Sequence, residues 1–169
     1  MKQSQGSKGI ALIECINPRL QKYRVRWNVK DVTPTEENMS SEMVSFMEEE
    51  FLYKPNIDEI KNLILNWYNT EIDNKIYSTF TWKGYSVWLD SIAQLNFKAS
   101  YDLAKEGLYD FTIPFKFDTM DNPTYYTFEG VDELREFYLA AVKHVSDTLA
   151  EGWVVKDGID WSEYESLLM

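Results

Sequence analysis

A chain of 169 residues has room for one domain, or one domain with a small extension, and cannot hold two full-sized ones. Its 44% hydrophobic and 15% aromatic content exclude a disordered polypeptide, because enough apolar surface is present to offset the entropy of ordering the chain. A net charge of −11 argues against a general nucleic-acid binder, and a single cysteine, Cys15, excludes an intramolecular disulfide.

The charge is unevenly spread. Residues 1–30 contain seven Lys or Arg against Glu14 alone, so a basic segment precedes an acidic body. Residues 1–9 carry no apolar side chain besides Met1 and read as a mobile tail; the apolar run 10–13 is too short for a signal-peptide core. No later stretch reaches membrane-spanning length, which predicts a soluble chain made without a secretory route. The Asn38-Met39-Ser40 sequon therefore carries no meaning.

Two strands are predicted over 10–15 and 23–29, joined through Asn17-Pro18. Alternation in the second puts Tyr23, Val25, Trp27 and Val29 on one face and Lys22, Arg24, Arg26 and Lys30 on the other. A polar loop over 33–41 leads to a third strand over 43–53 that bears Glu48, Glu49 and Glu50. Cys15, flanked by Ile13 and Ile16, reads as a buried inert thiol.

Helical signals begin at Pro55-Asn56, where Asn56 with Glu59 forms a capping pattern ahead of Ile57, Ile60, Ile64, Tyr68 and Ile72, predicting a helix over 57–75. Phe80, Trp82, Tyr85 and Val87 around Lys83-Gly84 predict a short aromatic hairpin. Ser91 with Gln94 reads as the cap of a helix over 92–106, with Ile92, Leu95, Ala99 and Leu103 as its apolar stripe and Gly107 as its terminator. A second hairpin pairs 112–117 with 125–128, turning at Asp121-Asn122-Pro123. Val131, Leu134, Tyr138, Ala141, Val145 and Leu149 mark a third helix running to about Gly152, and Asp160 with Glu163 caps a short C-terminal helix. The fold class expected is α+β: N-terminal antiparallel strands over 1–55, then a module over 56–169 of three helices alternating with two short β-hairpins and ending in the short helix.

The chemistry-bearing residues do not assemble into a catalytic motif. His144 precedes Ser146 and Asp147, but residues two or three apart on one helix do not align a nucleophile, a base and an orienting group. One His and one Cys cannot build a structural zinc site, the acidic runs lack calcium-loop spacing, and no glycine-rich phosphate loop occurs. No cofactor or metal is expected. Glu48 to Glu50 are expected to form a solvated edge or to pair with the basic strand. Lys22, Arg24, Arg26 and Lys30 are candidates for docking another protein or for internal pairing, because strand alternation separates them from the aromatics that base stacking would need. Trp82, Tyr85 and Trp88 are candidate binding aromatics whose alternative role is to cover the adjoining helices. Six Trp, eleven Tyr and nine Phe are more than a core this size needs, which favours some at a binding surface.

Several segments carry a resemblance: Phe80-Thr81-Trp82-Lys83-Gly84, Gln94-Leu95-Asn96-Phe97, Phe115-Lys116-Phe117, Tyr126-Thr127-Phe128, Glu133-Leu134, Phe137-Tyr138, Ala141, His144-Val145, and Trp153 with Lys156-Asp157. Over about residues 57–160 they resemble a family of phage proteins that share a domain of unknown function and are linked to tail fibres or their assembly. The whole chain is similar to proteins encoded in phages and prophages of gut bacteria. The resemblance implies a non-enzymatic virion or tail-associated protein, located in the virion or the bacterial host cytoplasm, whose partners are other tail or virion proteins. A transient assembly chaperone and a carbohydrate-binding module are the alternatives, and homo-oligomerisation stays open. The family has no catalytic residues to carry over, and residues 1–55 lie outside the likeness.

Overall fold

The computed structural model describes residues 1–32 and 43–169. The predicted polar loop and the sequon lie outside the described residues. The fold is α+β and divides into two units, Met1–Asn66 with Ile159–Met169, and Trp67–Gly158. The division falls inside the first helix rather than near residue 55, and the C-terminal helix belongs with the N-terminal sheet.

The first unit is a four-stranded antiparallel sheet with strand order β1-β4-β3-β2, built from β1 (Lys2–Ser7), β2 (Ile13–Asn17), β3 (Lys22–Asp31) and β4 (Met43–Phe51). The predicted tail is thus an edge strand, with Lys2 opposite Glu48 and Ser7 opposite Met43. Its sequence hid this, because a strand held by its backbone ladder and by polar contacts has no apolar alternation to read. Between β2 and β3, the Asn17 side chain accepts from the amides of Arg19 and Leu20 and closes a single 3-10 turn. Tyr23, Val25 and Trp27 share a face as predicted, but the register slips between Trp27 and Lys30, where Asn28 takes a φ of 52°. That bulge reverses the alternation and leaves Val29 exposed instead of beside Trp27.

Helix α1 (Ile57–Ser78) starts on a reciprocal capping box: the Glu59 amide donates to Asn56 Oδ1 (3.0 Å) and the Asn56 amide donates to Glu59 Oε2 (2.8 Å). Ile60 and Ile64 on its first half are buried in this unit. Helix α4 (Trp161–Leu168), capped by Asp160, buries Tyr164, whose hydroxyl donates to the Arg26 carbonyl at 2.9 Å.

The second unit contains two small hairpins, β5 (Thr81–Trp82) with β6 (Tyr85–Ser86) and β7 (Phe115–Asp118) with β8 (Pro123–Tyr126), together with α2 (Ser91–Lys105), α3 (Val131–Asp157) and the second half of α1. The first hairpin turns through Lys83 and Gly84 at φ 48° and 89°, the positive values that a two-residue turn matching strand twist requires. The core is aromatic and centres on Phe137, whose ring lies 4.8 Å from Phe97, 5.1 Å from Phe128, 5.4 Å from Trp82, and 5.8 Å from both Phe80 and Phe117.

Three expectations for this unit change. The cap of α2 is Asp90, not Ser91: the Asp90 carboxylate accepts from the Ala93 amide, while Gln94 turns back to donate to the Leu89 carbonyl. The buried face of α2 carries Phe97 and Ala104, and the expected stripe of Ile92, Leu95, Ala99 and Leu103 faces outward. Helix α3 continues past Gly152 to Asp157, because that glycine is a contact point and not a terminator. A Cβ built on Gly152 would overlap Ile72 Cδ1 and lie 2.5 Å from Ile72 Cγ1, so its absence lets α3 approach α1.

Candidate functional site

The basic strand and the acidic strand are neighbours, and pairing between them uses most of the charge that drew attention in the sequence. β3 and β4 place Arg24 opposite Glu50 and Arg26 opposite Glu48. Glu50 takes Arg24 Nη2 at 2.6 Å and Lys22 Nζ at 2.5 Å. Glu48 lies between strands, accepting from Ser4 Oγ at 2.8 Å and sitting 3.0 Å from Lys2 Nζ of β1 and 3.4 Å from Arg26 Nε of β3. Arg26 also reaches Glu14 Oε2 of β2 at 2.5 Å and donates to the Ala11 carbonyl at 2.8 Å, so one guanidinium ties β2 and the segment before it to β4.

Arg26 and Glu48 are almost fully buried, which separates them from ordinary surface ion pairs. Hydrogen bonds from Lys22 and Arg24 pull the Glu50 carboxyl down to about 2. Burial pushes the Glu48 carboxyl up, but its bonds to Ser4 and Lys2 and the charge of Arg24 outweigh that and hold it below the usual carboxylate range. Of the predicted docking cations, Lys22, Arg24 and Arg26 are therefore engaged inside the sheet, whereas Lys30 is exposed opposite Ser45.

The three predicted aromatics separate in the same way. Trp82 packs edge-on to Phe137 and Tyr85 sits 5.8 Å from Tyr126, so both help cover the core. Trp88 is exposed, with its ring held by an Nε1 bond to Asp90 Oδ2 (3.0 Å) and a tilted contact with Tyr77. Beneath the first hairpin, Glu133 accepts from Lys83 Nζ, the Tyr126 hydroxyl and the Glu129 amide. Burial pushes Glu133 up, and these bonds overcome it to leave its pKa lowered.

His144 rests 5.4 Å from the Phe80 ring, and its Nε2 has no hydrogen-bond partner among the described residues. Asp147 pairs with Lys143 at 2.5 Å. Cys15, on the edge strand β2, is exposed rather than buried. Among the described residues no three His, Cys, Asp or Glu converge as a metal site, and no helix is long and apolar enough to cross a membrane.

An apolar groove of about 340 Å³ lies between α2 and α3. Leu89, Phe97 and Ala141, all buried, form its floor, and Leu95 and Val142 stand at its sides with 65% and 44% exposure. Comparison with family models, curated proteins and solved structures gives no match. The sequence hides the groove because α2 carries two apolar stripes, Ile92, Leu95, Ala99 and Leu103 against Ala93, Phe97 and Ala104, and helical spacing alone does not say which one is buried.

Proposed function

We propose that this chain is a non-enzymatic phage virion or tail-associated protein that docks onto another protein. The observation that carries the docking role is the inverted use of side chains. Cationic side chains are largely tied to carboxylates, as at Arg26 with Glu48 and Lys83 with Glu133, while large apolar side chains of α2 and α3 stay exposed beside a groove. Titratable groups held this way bind one another rather than a reacting molecule, and apolar side chains gathered at a groove favour a partner that covers them. The assignment to a phage particle rests on the resemblance of the segments from Phe80 to Asp157.

The test is affinity capture of a tagged full-length chain from cells producing phage particles, with mass spectrometry of both the captured proteins and the purified particles. Tail proteins in the capture and the chain in the particle are expected. Tail proteins without the chain in the particle would replace the virion role with that of an assembly chaperone. A capture without tail proteins, together with particles that lack the chain, would overturn the reading. Deleting residues 1–30 is a poor substitute, because it removes β1, β2 and most of β3 from the sheet.

One observation favours a second reading, carbohydrate binding: Trp88 is exposed yet fixed in place by Asp90. Glycan arrays with the wild type and Trp88→Ala decide it, and no Trp88-dependent binding removes it.

A further inference from the structure

We infer that the groove between α2 and α3 receives an amphipathic helix of another protein, with an apolar stripe and basic flanks. This rests on the docking role proposed above and names the surface and the partner chemistry.

The first argument is shape. A trough between two packed helices, with an apolar floor and with Leu95 and Val142 at its sides beside the polar Gln94, Lys98 and Ser146, accepts side chains at successive turns of a third helix, the arrangement used wherever a helix lies in a groove. The floor is rigid, since Phe97 is held against Phe137 and Phe115 in the aromatic core. Along α3, Leu139 and Val142 are exposed on the same side of the helix, and Ile92 and Leu95 repeat the pattern on α2. Leu95 and Val142 line the trough, and Ile92 and Leu139 lie one turn before them on the same helices, so these exposed apolar side chains form a stripe, whereas single exposed apolar residues are ordinary on any surface.

The second argument is charge. The unit that contains the groove has fifteen Asp or Glu against eight Lys or Arg. Several of those cations are already neutralised: Lys98 and Lys105 by Asp102, Lys143 by Asp147, Lys75 by Glu151 and Lys83 by Glu133. The surplus is anionic. It attracts a helix with Lys or Arg beside its apolar stripe, and it opposes a second copy of this chain, which would bring the same excess. At physiological salt this field reaches about 8 Å from the surface, enough to act on the flanks of a seated helix.

The experiment uses the full chain and two labelled peptides of about 18 residues, or roughly five helical turns, with identical Leu spacing, one with Lys at its polar positions and the other with Glu. Fluorescence anisotropy of the Leu-Lys peptide should show saturable binding that weakens about tenfold or more with Leu95→Asp and with Val142→Asp, and the Leu-Glu peptide should not bind. Both residues are exposed, so the variants keep the wild-type circular dichroism, and Leu95→Lys provides a second variant with the opposite charge. Absence of saturable Leu-Lys binding overturns the inference. So does binding that survives all three substitutions, which would be unspecific attraction to an acidic protein, and so does equal binding of the two peptides. Sedimentation that shows a wild-type dimer lost in Val142→Asp overturns it in favour of a second copy. Particle incorporation without peptide binding removes this inference and leaves the virion role standing, and peptide binding by a chain that captures no tail proteins does the reverse.

Discussion

Arg26 and Glu48 face each other across β3 and β4, each almost fully buried, with Nε and Oε2 3.4 Å apart. A pair removed from water costs much of its own attraction, and its loss is most damaging when only one member goes. Glu48→Ala and Arg26→Leu should each destabilise by less than the ~3–5 kcal/mol of a buried charge left with no partner, because Glu14 still pairs with Arg26, and Lys2 and Arg24 still face Glu48. The double variant should cost less than the sum. Urea denaturation of the four proteins checks this, and strict additivity would show that the two residues are not coupled.

Acid should loosen the same sheet. The Glu50 carboxyl falls from its ordinary value of 4.5 to about 2 in the folded chain, and Glu48 is lowered as well. A folded-state pKa below the unfolded one means that the folded chain binds fewer protons, so this contribution is complete above about 4.5 and is lost as the pH falls toward 2. Glu50→Gln should flatten the stability profile through that window and leave its slope near neutral pH unchanged. Thermal melts across the pH range provide the measurement.

Gly152→Ala is expected to destabilise the protein although alanine is the better helix former by about 1 kcal/mol. The new methyl meets Ile72 at Cγ1 as well as Cδ1, so relief requires moving the side chain of a β-branched helical residue with one strongly favoured χ1. Crowding of this kind costs about 1–3 kcal/mol. In an Ile72→Ala background the same change should become neutral or favourable, and a double-mutant cycle by denaturation tests for that reversal.

Asp90 caps α2 through Oδ1 and holds the exposed Trp88 ring through Oδ2. Asp90→Ala should cost about 1 kcal/mol as a lost cap, whereas Asp90→Asn should retain most of that stability. Trp88 fluorescence should gain anisotropic mobility in the alanine variant. If it does not, Tyr77 rather than Asp90 fixes the ring.

Much of the α+β fold could be read from the sequence where local chemistry decides structure. Asn56 with Glu59 gave the start of α1, Lys83-Gly84 the first hairpin, and Asp160 the start of α4, because caps and turns are short-range devices. The failures came where a distant partner decides. β1 contains no apolar signal because Glu48, far along the chain, supplies its contacts. On α2 two apolar stripes competed, and only the aromatic cluster around Phe137 selects the one bearing Phe97. The basic strand was visible as a charge pattern, but its satisfaction by Glu48, Glu50 and Glu14 required the strand order.

The bond from the Tyr164 hydroxyl to the Arg26 carbonyl joins residues 138 positions apart, and the whole of Trp67–Gly158 lies between them in the chain. Synthesis is directional, and domains fold as their residues emerge. The unit whose strands are made first therefore receives its last element, α4 with Tyr164, only after the whole of the aromatic unit has been translated. A stall or cleavage anywhere after Gly158 would release a finished second unit attached to an unfinished first one.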